Sequence, residues 1–190
     1  MCQTIIPIII VEVAMFTLHH GFWIYFFSRR HPLLWYYVFG SMLPDYIYLV
    51  LVAVLMLGGH IEAAEIISLS PKVMMSYLPL YPWAVKADLI GHSVVVWGAF
   101  FVLTLIAGFA KCRAIVIGWG THLLLDELTH SAYANFYLYP LSMSAIHSPV
   151  SYWEPQYFAE EFNIVNKTIM IAMAAYLVYH WWKHQKNKYK

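Results

Sequence analysis

The chain has 190 residues, of which 62% are hydrophobic, 18% aromatic and only 11% charged. About a quarter of the residues in a soluble domain are charged, so this composition indicates a protein embedded in lipid rather than one with a small buried core. A net charge of +1 gives no basic surface for nucleic acid, and the two distant cysteines, Cys2 and Cys112, exclude a disulfide framework and a cysteine-rich zinc module.

Five apolar runs predict about five membrane-embedded helices in one domain, residues 1–190. Four are long enough to cross about 30 Å of hydrocarbon, whereas the fourth is short and polar and must be buried among the others. The first lacks a preceding positive region and is too long for a signal peptide, so we expect it to be retained. The predicted spans are residues 4–27, 33–57, 91–110, 114–128 and 164–182. The predicted fold is an all-α, polytopic membrane helical bundle.

The basic residues predict the orientation of this bundle. With five spans, most of them fall on one side, which the positive-inside rule assigns to the cytoplasm. That side holds Arg29, Arg30, Lys111, Arg113 and four lysines of the tail that ends at Lys190. We therefore expect an outside N-terminus and a cytoplasmic C-terminus in a bacterial inner (cell) membrane. The long segments 58–90 and 129–163 then lie outside, where their many aromatic residues are typical of the headgroup layer.

The fourth predicted span carries His122, Asp126 and His130 at intervals of four residues. On an α-helix this spacing forms a single stripe. Placing a charged side chain at the bilayer centre costs about 3 kcal/mol or more of free energy, so each of these polar side chains requires a partner. His and Asp one turn apart can ligate one metal ion, and a hydrogen-bonded seam between helices is the alternative.

The second and third spans add further polar candidates. Pro44 removes a helix hydrogen bond and predicts a kink that makes room for Asp45, as a metal ligand or as a proton-relay group. Asp88 and His92 are again four residues apart. Asp88 is interpreted as a ligand, as an acceptor that orients the His92 ring, or as a plain helix-start carboxylate.

The first span contains two adjacent histidines, His19 and His20. Their side chains differ by about 100° around the helix, so only one can face a given site. Gly21 beside His20 favours His20. Because several spans supply His or Asp, a shared cation explains the set better than each residue taken alone. Nitrogen and oxygen donors without a thiolate suit zinc and permit manganese or iron.

These motifs also occur in a characteristic order along the chain. They are Gly-Ser-Met-Leu-Pro-Asp45, Gly-His92-Ser, Gly-Trp-Gly-Thr-His122-Leu-Leu-Leu-Asp126-Glu-Leu-Thr129 and Tyr139-Pro140. In this order, over about residues 17 to 140, the chain resembles the YdjM-like membrane-bound metal-dependent hydrolases, which are distantly similar to zinc-dependent phospholipase C. The resemblance implies that Asp45, His92, His122 and Asp126 are metal ligands, together with His19 or His20.

The chain departs from the family pattern at two places. The family's His-Arg-Gly element is replaced by Ala87, Asp88 and Leu89, so an arginine that could contact a substrate phosphate is absent. The residues after Asp45 are Tyr-Ile-Tyr rather than a second acidic residue, so a ligand for a second metal is absent there.

The resemblance implies a metal-dependent hydrolase that acts on a lipid or a lipid-linked ester, above all a phosphoester. Zinc would activate water, and an unligated carboxylate, Glu127 or Asp88, would be the general base. The alternative is a non-catalytic membrane protein that uses a metal, or a buried His/Asp network, for structure or for metal and proton handling. The expected partners are membrane lipid and a lipid-like substrate.

Overall fold

The computed structural model describes residues 12–62, 65, 69, 71–106, 108–131 and 136–188. Within these residues it contains eight α-helices and two short 3-10 helices and no strand, which confirms the predicted all-α fold. The α-helices are α1 Glu12–Ser28, α2 Leu34–Met42, α3 Tyr46–Leu57, α4 Pro71–Tyr77, α5 Pro82–Gly91, α6 Val94–Thr104, α7 Ala110–Glu127 and α8 Ala159–Lys188. The 3-10 turns are Leu78–Leu80 and Pro155–Tyr157.

Two of the predicted spans are broken helices. Residues 33–57 form α2 and α3, whose axes bend by 57° at the break that contains Pro44. This confirms the predicted kink, because proline cannot continue the helix hydrogen bonds. A similar bend of 58° separates α5 from α6, where the Ser93 side chain accepts a hydrogen bond from Val96 N and begins the new helix. The third predicted span, 91–110, therefore starts at a helix break.

The prediction of about five spans is confirmed only in part. Within the described residues, Ala159–Asn187 alone is long and apolar enough to cross a membrane, and the two bent pairs raise the number to three if each counts as one span. α7 has 18 residues but carries two basic and two acidic ones, and the beginning of predicted span 4–27 lies outside the described residues.

Close contact of helix backbones joins α2 to α7. A Cβ atom on Gly40 would overlap the carbonyl oxygen of Ile115, and one on Gly118 would overlap the carbonyl oxygen of Tyr37. Small residues permit this close approach of two helix backbones. The contact sets the distance between the end of α2 and the end of α7, where the polar residues lie.

The described residues of segment 58–90, which was expected to lie at the headgroup layer, pack onto α3. Its buried apolar side chains form a cluster with two leucines of α3 and with each other: Leu51, Leu55, Ile61, Leu69, Met74, Leu78 and Ala84. The segment therefore covers one side of α3. Two consecutive methionines of α4, Met74 and Met75, also reach the polar cavity described below.

α8 is attached to the bundle mainly through α1. The Asn166 side chain accepts a hydrogen bond from Trp23 Nε1 at 3.2 Å and lies 3.2 Å from His19 Nδ1. Near the other end of α1, Arg29 donates to the Tyr176 hydroxyl at 3.3 Å. Most of the remaining α8 surface is exposed and apolar, which is typical of a helix that faces lipid.

Candidate metal centre

The stripe predicted on the fourth span is buried. His122, Asp126 and His130 have exposed fractions of 0%, 2% and 6%. α7 ends at Glu127, so His130 lies just beyond the helix, where its Nδ1 is 2.8 Å from the backbone oxygen of Asp126. His130 therefore lies on the same side as His122 and Asp126, although it is beyond the end of α7.

The two helix breaks bring further residues to this stripe. Asp45 lies at the Pro44 break, and His92 lies at the break between α5 and α6. Trp119 of α7 fixes the second break, because its Nε1 donates to the backbone oxygen of Gly91 at 2.6 Å. His20 approaches from α1, with its Nε2 3.2 Å from Oδ1 of Asp126. Four parts of the fold therefore converge on one point: α1, the two helix breaks and α7.

The closest set of side-chain atoms surrounds His122. Its Nε2 lies 3.3 Å from Nε2 of His92, 3.1 Å from Oδ2 of Asp126 and 3.6 Å from Oδ1 of Asp45. Two overlapping groups of donors lie close enough together to hold a metal ion: one is His20, His122 and Asp126, and the other is Asp45, His92 and His122. The predicted ligands on four separate elements are thus brought together.

Backbone carbonyls fix the tautomers of the two central histidines. Nδ1 of His122 lies 2.9 Å from the oxygen of Ser41, and Nδ1 of His92 lies 3.0 Å from the oxygen of Asp88. Because a carbonyl only accepts, each Nδ1 carries a proton, so each ring in its neutral form has its lone pair on Nε2. Two such lone pairs 3.3 Å apart cannot hydrogen-bond to each other, whereas a cation between them would bind both.

The spacing of these nitrogens fits a metal ion. Zinc–nitrogen bonds of about 2.0–2.1 Å in tetrahedral geometry place two ligand nitrogens about 3.3–3.4 Å apart. The observed separation of His92 and His122 is 3.3 Å. One further buried atom, Nδ1 of His20, has no hydrogen-bond partner in the described part of the chain. The His20 ring is held by Asp126 at Nε2 and packs against the His122 ring, with ring centres 4.0 Å apart.

Asp88, a predicted catalytic base, lies behind His92. Its Oδ1 is 3.1 Å from Nδ1 of His92 and accepts a hydrogen bond from the Tyr48 hydroxyl at 2.7 Å. A carboxylate in this position orients the imidazole and makes its other nitrogen a better ligand. Asp88 does not line the cavity next to the ligands.

The other predicted site residues have clear positions. Glu127, the second predicted base, is exposed on α7 and does not line the cavity. His19 is buried but turns toward Asn166 of α8, whereas its neighbour His20 turns into the cluster. The structure therefore brings together Asp45, His92, His122, Asp126 and His20, and leaves His19 and Glu127 outside.

A cavity of about 60 Å³ adjoins the ligands. One part of its wall is polar and the other is apolar. Its lining residues are Thr17, His20, Asp45, Tyr48, Leu49, Val52, Met74, Met75, His92, Asp126, His130, Tyr152 and Trp153. The cavity thus directly adjoins the candidate ligands. Met74 and Met75 of segment 58–90, and Tyr152 and Trp153 of segment 129–163, form another part of its wall.

Several residues that shape the site are not evident from sequence reasoning. Thr17 donates to Oδ2 of Asp45 at 2.7 Å, and the carbonyl of Ser41 orients His122. Thr17 precedes His20 by three residues, which places both on one helix face and is the one sequence signal for it. Tyr152 comes from a predicted aromatic belt. Burial and the carboxylates of Asp126 and Asp45 raise its pKa well above the ordinary value, so it remains a neutral hydroxyl.

Comparisons of the chain with protein-family models, with curated proteins and with solved structures found no match.

Proposed function

We propose that the chain is a membrane-embedded, metal-dependent hydrolase that acts on a lipid or a lipid-linked ester. A phosphoester is the favoured substrate. The observation that carries this proposal is the pair of buried imidazoles, His92 and His122, with their Nε2 atoms 3.3 Å apart and two carboxylates, Asp45 and Asp126, beside them. The resemblance to the YdjM-like hydrolases assigns the same four residues as ligands. The donor set favours zinc, with manganese and iron as alternatives.

Each group in the site has a definable task in such a reaction. A bound divalent cation supplies a Lewis acid that polarises the scissile group and makes water acidic. Asp88 holds the His92 ring, and Thr17 holds the Asp45 carboxylate. Of the two predicted bases, Asp88 is the nearer to the ligands, but its contacts favour a positioning role through His92. The neutral hydroxyl of Tyr152 lies on the cavity wall as a hydrogen-bond donor.

The apolar surroundings of the site support a lipid-like substrate. A groove of about 650 Å³ has an almost wholly apolar lining that includes Ile47, Phe100 and Trp119. It is also lined by Pro44 and Gly91, the residues that directly precede the ligands Asp45 and His92. This apolar surface suits an acyl or prenyl chain.

We further propose five membrane-embedded segments, an outside N-terminus and a cytoplasmic C-terminus, as expected for a bacterial inner membrane. Three basic side chains lie over aromatic rings at the predicted cytoplasmic side. Arg29 lies 4.6 Å from the Phe26 ring centre, Lys111 lies 5.7 Å from that of Tyr36 and Lys186 lies 5.0 Å from that of Trp182. Paired aromatic and basic residues are typical of a cytoplasmic membrane interface.

A second candidate function is a non-catalytic membrane protein that uses the metal for structure or for metal and proton handling. The replacement of the family's His-Arg-Gly by Ala87, Asp88 and Leu89 favours it. So does the small volume of the cavity, about 60 Å³, which admits only the reacting end of a substrate.

Hydrolysis assays separate the two functions. Purified, metal-loaded protein is incubated in detergent with a panel of phospholipids and with chromogenic phosphoesters and carboxylic esters. The enzyme proposal expects turnover that chelation abolishes, metal restores, and the double substitution His122→Ala plus Asp126→Asn removes. Metal-loaded protein that turns over no member of the panel contradicts the enzyme proposal and supports the non-catalytic function.

A further inference from the structure

The turn between α1 and α2 carries two consecutive arginines, Arg29 and Arg30. α1 ends at Ser28 and α2 begins at Leu34. Backbone hydrogen bonds close the turn, because His31 N donates to the oxygen of Ser28 at 2.8 Å and Leu34 N donates to the oxygen of His31 at 3.0 Å. The arginines are thus presented by a backbone of defined shape.

The ring of His31 is fixed as a hydrogen-bond donor. Its Nδ1 accepts a hydrogen bond from the backbone nitrogen of Leu33 at 3.0 Å. The ring stands almost perpendicular to that of Tyr37, at 83°, with the ring centres 5.0 Å apart. Because Nδ1 accepts, the ring carries its proton on Nε2. His31 therefore offers an N–H group to a ligand at the turn.

A groove of about 530 Å³ lies beside this turn and is rich in donors. The exposed guanidinium of Arg30 contributes several N–H groups, and Ser28 and Tyr37 add hydroxyls. None of the lining residues that the structure describes is acidic. These residues are Phe27, Ser28, Arg30, His31, Pro32 and Tyr37. Since the planar guanidinium of arginine matches the oxygens of phosphate, this set of donors suits a phosphodiester.

The positive charge around the turn is not neutralised within the described part of the chain. The guanidinium of Arg29 lies against aromatic rings, 4.6 Å from the ring centre of Phe26 and 5.2 Å from that of Tyr176. Lys111 of α7 reaches the same end of the bundle, 5.7 Å from the ring centre of Tyr36. Among the described residues, neither arginine of the turn nor Lys111 forms an ion pair with a carboxylate. Their charges therefore attract an anion from outside the chain.

Apolar side chains next to these charges favour a phospholipid over a soluble anion. Phe27 and Trp35, on either side of the turn, are 69% and 68% exposed. A second groove, of about 430 Å³, is lined by α1 and α2 and is almost wholly apolar, with Phe22, Tyr25 and Val38 in its wall. Exposed aromatic and basic residues in one place are typical of the boundary between lipid headgroups and acyl chains. A soluble phosphate would contact only the charged part of this surface.

We propose that the turn between α1 and α2 binds the headgroup of an anionic phospholipid, with Arg30 and His31 donating hydrogen bonds to its phosphodiester. Anionic lipids attract clusters of basic residues beside an apolar helix. The site is separate from the metal centre, because His20 and Ser28 lie about 12 Å apart along α1. The inference therefore does not depend on hydrolase activity. A lipid bound here holds this end of the bundle at the headgroup layer.

Native mass spectrometry of the full chain in neutral detergent tests the site. The bound fraction is measured during titration with phosphatidylglycerol, which is anionic, and with phosphatidylcholine, which has no net charge. We expect phosphatidylglycerol to bind at least tenfold more tightly, and Arg30→Gln to lose roughly tenfold or more of that affinity. Lys183→Gln is the matched control, because it removes the same charge from an exposed position on α8, and it should keep the affinity.

Three results overturn the proposal. They are equal affinity for the two lipids, an equal loss of affinity in Arg30→Gln and Lys183→Gln, and complete displacement of phosphatidylglycerol by inorganic phosphate. The second would mean that the positive charge acts diffusely, and the third that the site takes a soluble anion.

A further measurement needs no variant. Phosphatidylglycerol should raise the thermal unfolding midpoint of the unaltered chain more than phosphatidylcholine does, and high salt should reduce the difference. Equal midpoints in the two lipids at low salt would also overturn the site.

Discussion

Nε2 of His92 faces Nε2 of His122 at 3.3 Å, although the two residues are 30 positions apart and each ring is turned by a different backbone carbonyl. In the neutral form of both rings these two Nε2 atoms are acceptors, so they have no hydrogen bond to each other. Both carbonyls belong to helix ends or breaks, Ser41 in the last turn of α2 and Asp88 in the last turn of α5. The helix ends therefore orient the two imidazoles so that their Nε2 atoms face each other.

Removing the charge behind His92 should weaken metal binding without abolishing it. Asp88→Asn keeps the shape of the side chain but loses the carboxylate that contacts Nδ1 of His92. We expect metal affinity to fall by about 10–100-fold, as is usual when a partner of a metal-bound histidine is lost. The measurement is competition with a zinc-sensitive dye. If affinity stays unchanged while turnover falls, Asp88 is instead the general base predicted from sequence.

Glu127→Gln is the matched control for this experiment, because it makes the same change at an exposed position on α7. It should leave affinity unchanged. If Glu127→Gln lost turnover while keeping its full metal content, Glu127 would be the general base, and the side-chain positions seen around Asp88 would not be those of the reacting enzyme.

The hydroxyl of Thr17 should stabilise the Asp45 carboxylate in its ligating position. Thr17→Val retains the side-chain shape and removes the donor that lies 2.7 Å from Oδ2 of Asp45. A hydrogen bond to a charged group contributes about 1.5–3 kcal/mol, so we expect metal affinity to fall by roughly one to two powers of ten. Thr168→Val, on exposed α8, removes only a bond to its own helix and is the control. Equal affinity of Thr17→Val and Thr168→Val would contradict the assigned role.

The contact of α2 with α7 should be sensitive to a single methyl group. Gly40→Ala places a Cβ on the carbonyl oxygen of Ile115, and overpacking of this kind costs about 1–3 kcal/mol. Gly98→Ala, in the middle of α6, meets no atom within 4 Å and gains helix propensity of about 0.5–1 kcal/mol. Thermal unfolding in detergent should therefore show a lower midpoint for Gly40→Ala and an equal or higher one for Gly98→Ala. A midpoint for Gly40→Ala at or above that of the unaltered chain contradicts this packing.

The proposed topology predicts the location of the tail. A reporter that is active only in the cytoplasm should be active when fused after Lys190. The positive-inside rule places the basic residues of the tail, and those between the predicted spans, on the cytoplasmic side. A matched fusion within residues 58–70, on the opposite side, should give the reverse result. A tail that reports from the outer side would contradict five spans with an outside N-terminus.

The sequence indicated which polar residues lie close together better than it indicated where the helices begin and end. Spacing of four residues was enough to place His122 and Asp126 on one face, and Pro44 indicated the break that carries Asp45. The choice between His19 and His20 could not be made locally, because it depends on Asn166, 147 positions from His19 along the chain. The break at His92 was missed, although Ser93 is a typical first residue before a helix. The return of segment 58–90 onto α3 depends on tertiary packing, which apolar run lengths do not encode.

The metal content of the purified chain is the decisive measurement for the proposed metal centre. The unaltered protein, Asp126→Asn and Glu127→Gln are purified side by side in detergent and analysed for zinc, manganese and iron. Asp126 contacts three of the imidazoles, whereas the neighbouring Glu127 is exposed. We expect bound metal in the unaltered chain and in Glu127→Gln, and its loss in Asp126→Asn. An unaltered chain without stoichiometric metal after loading, or an Asp126→Asn variant that keeps all its metal, would contradict the proposed metal centre.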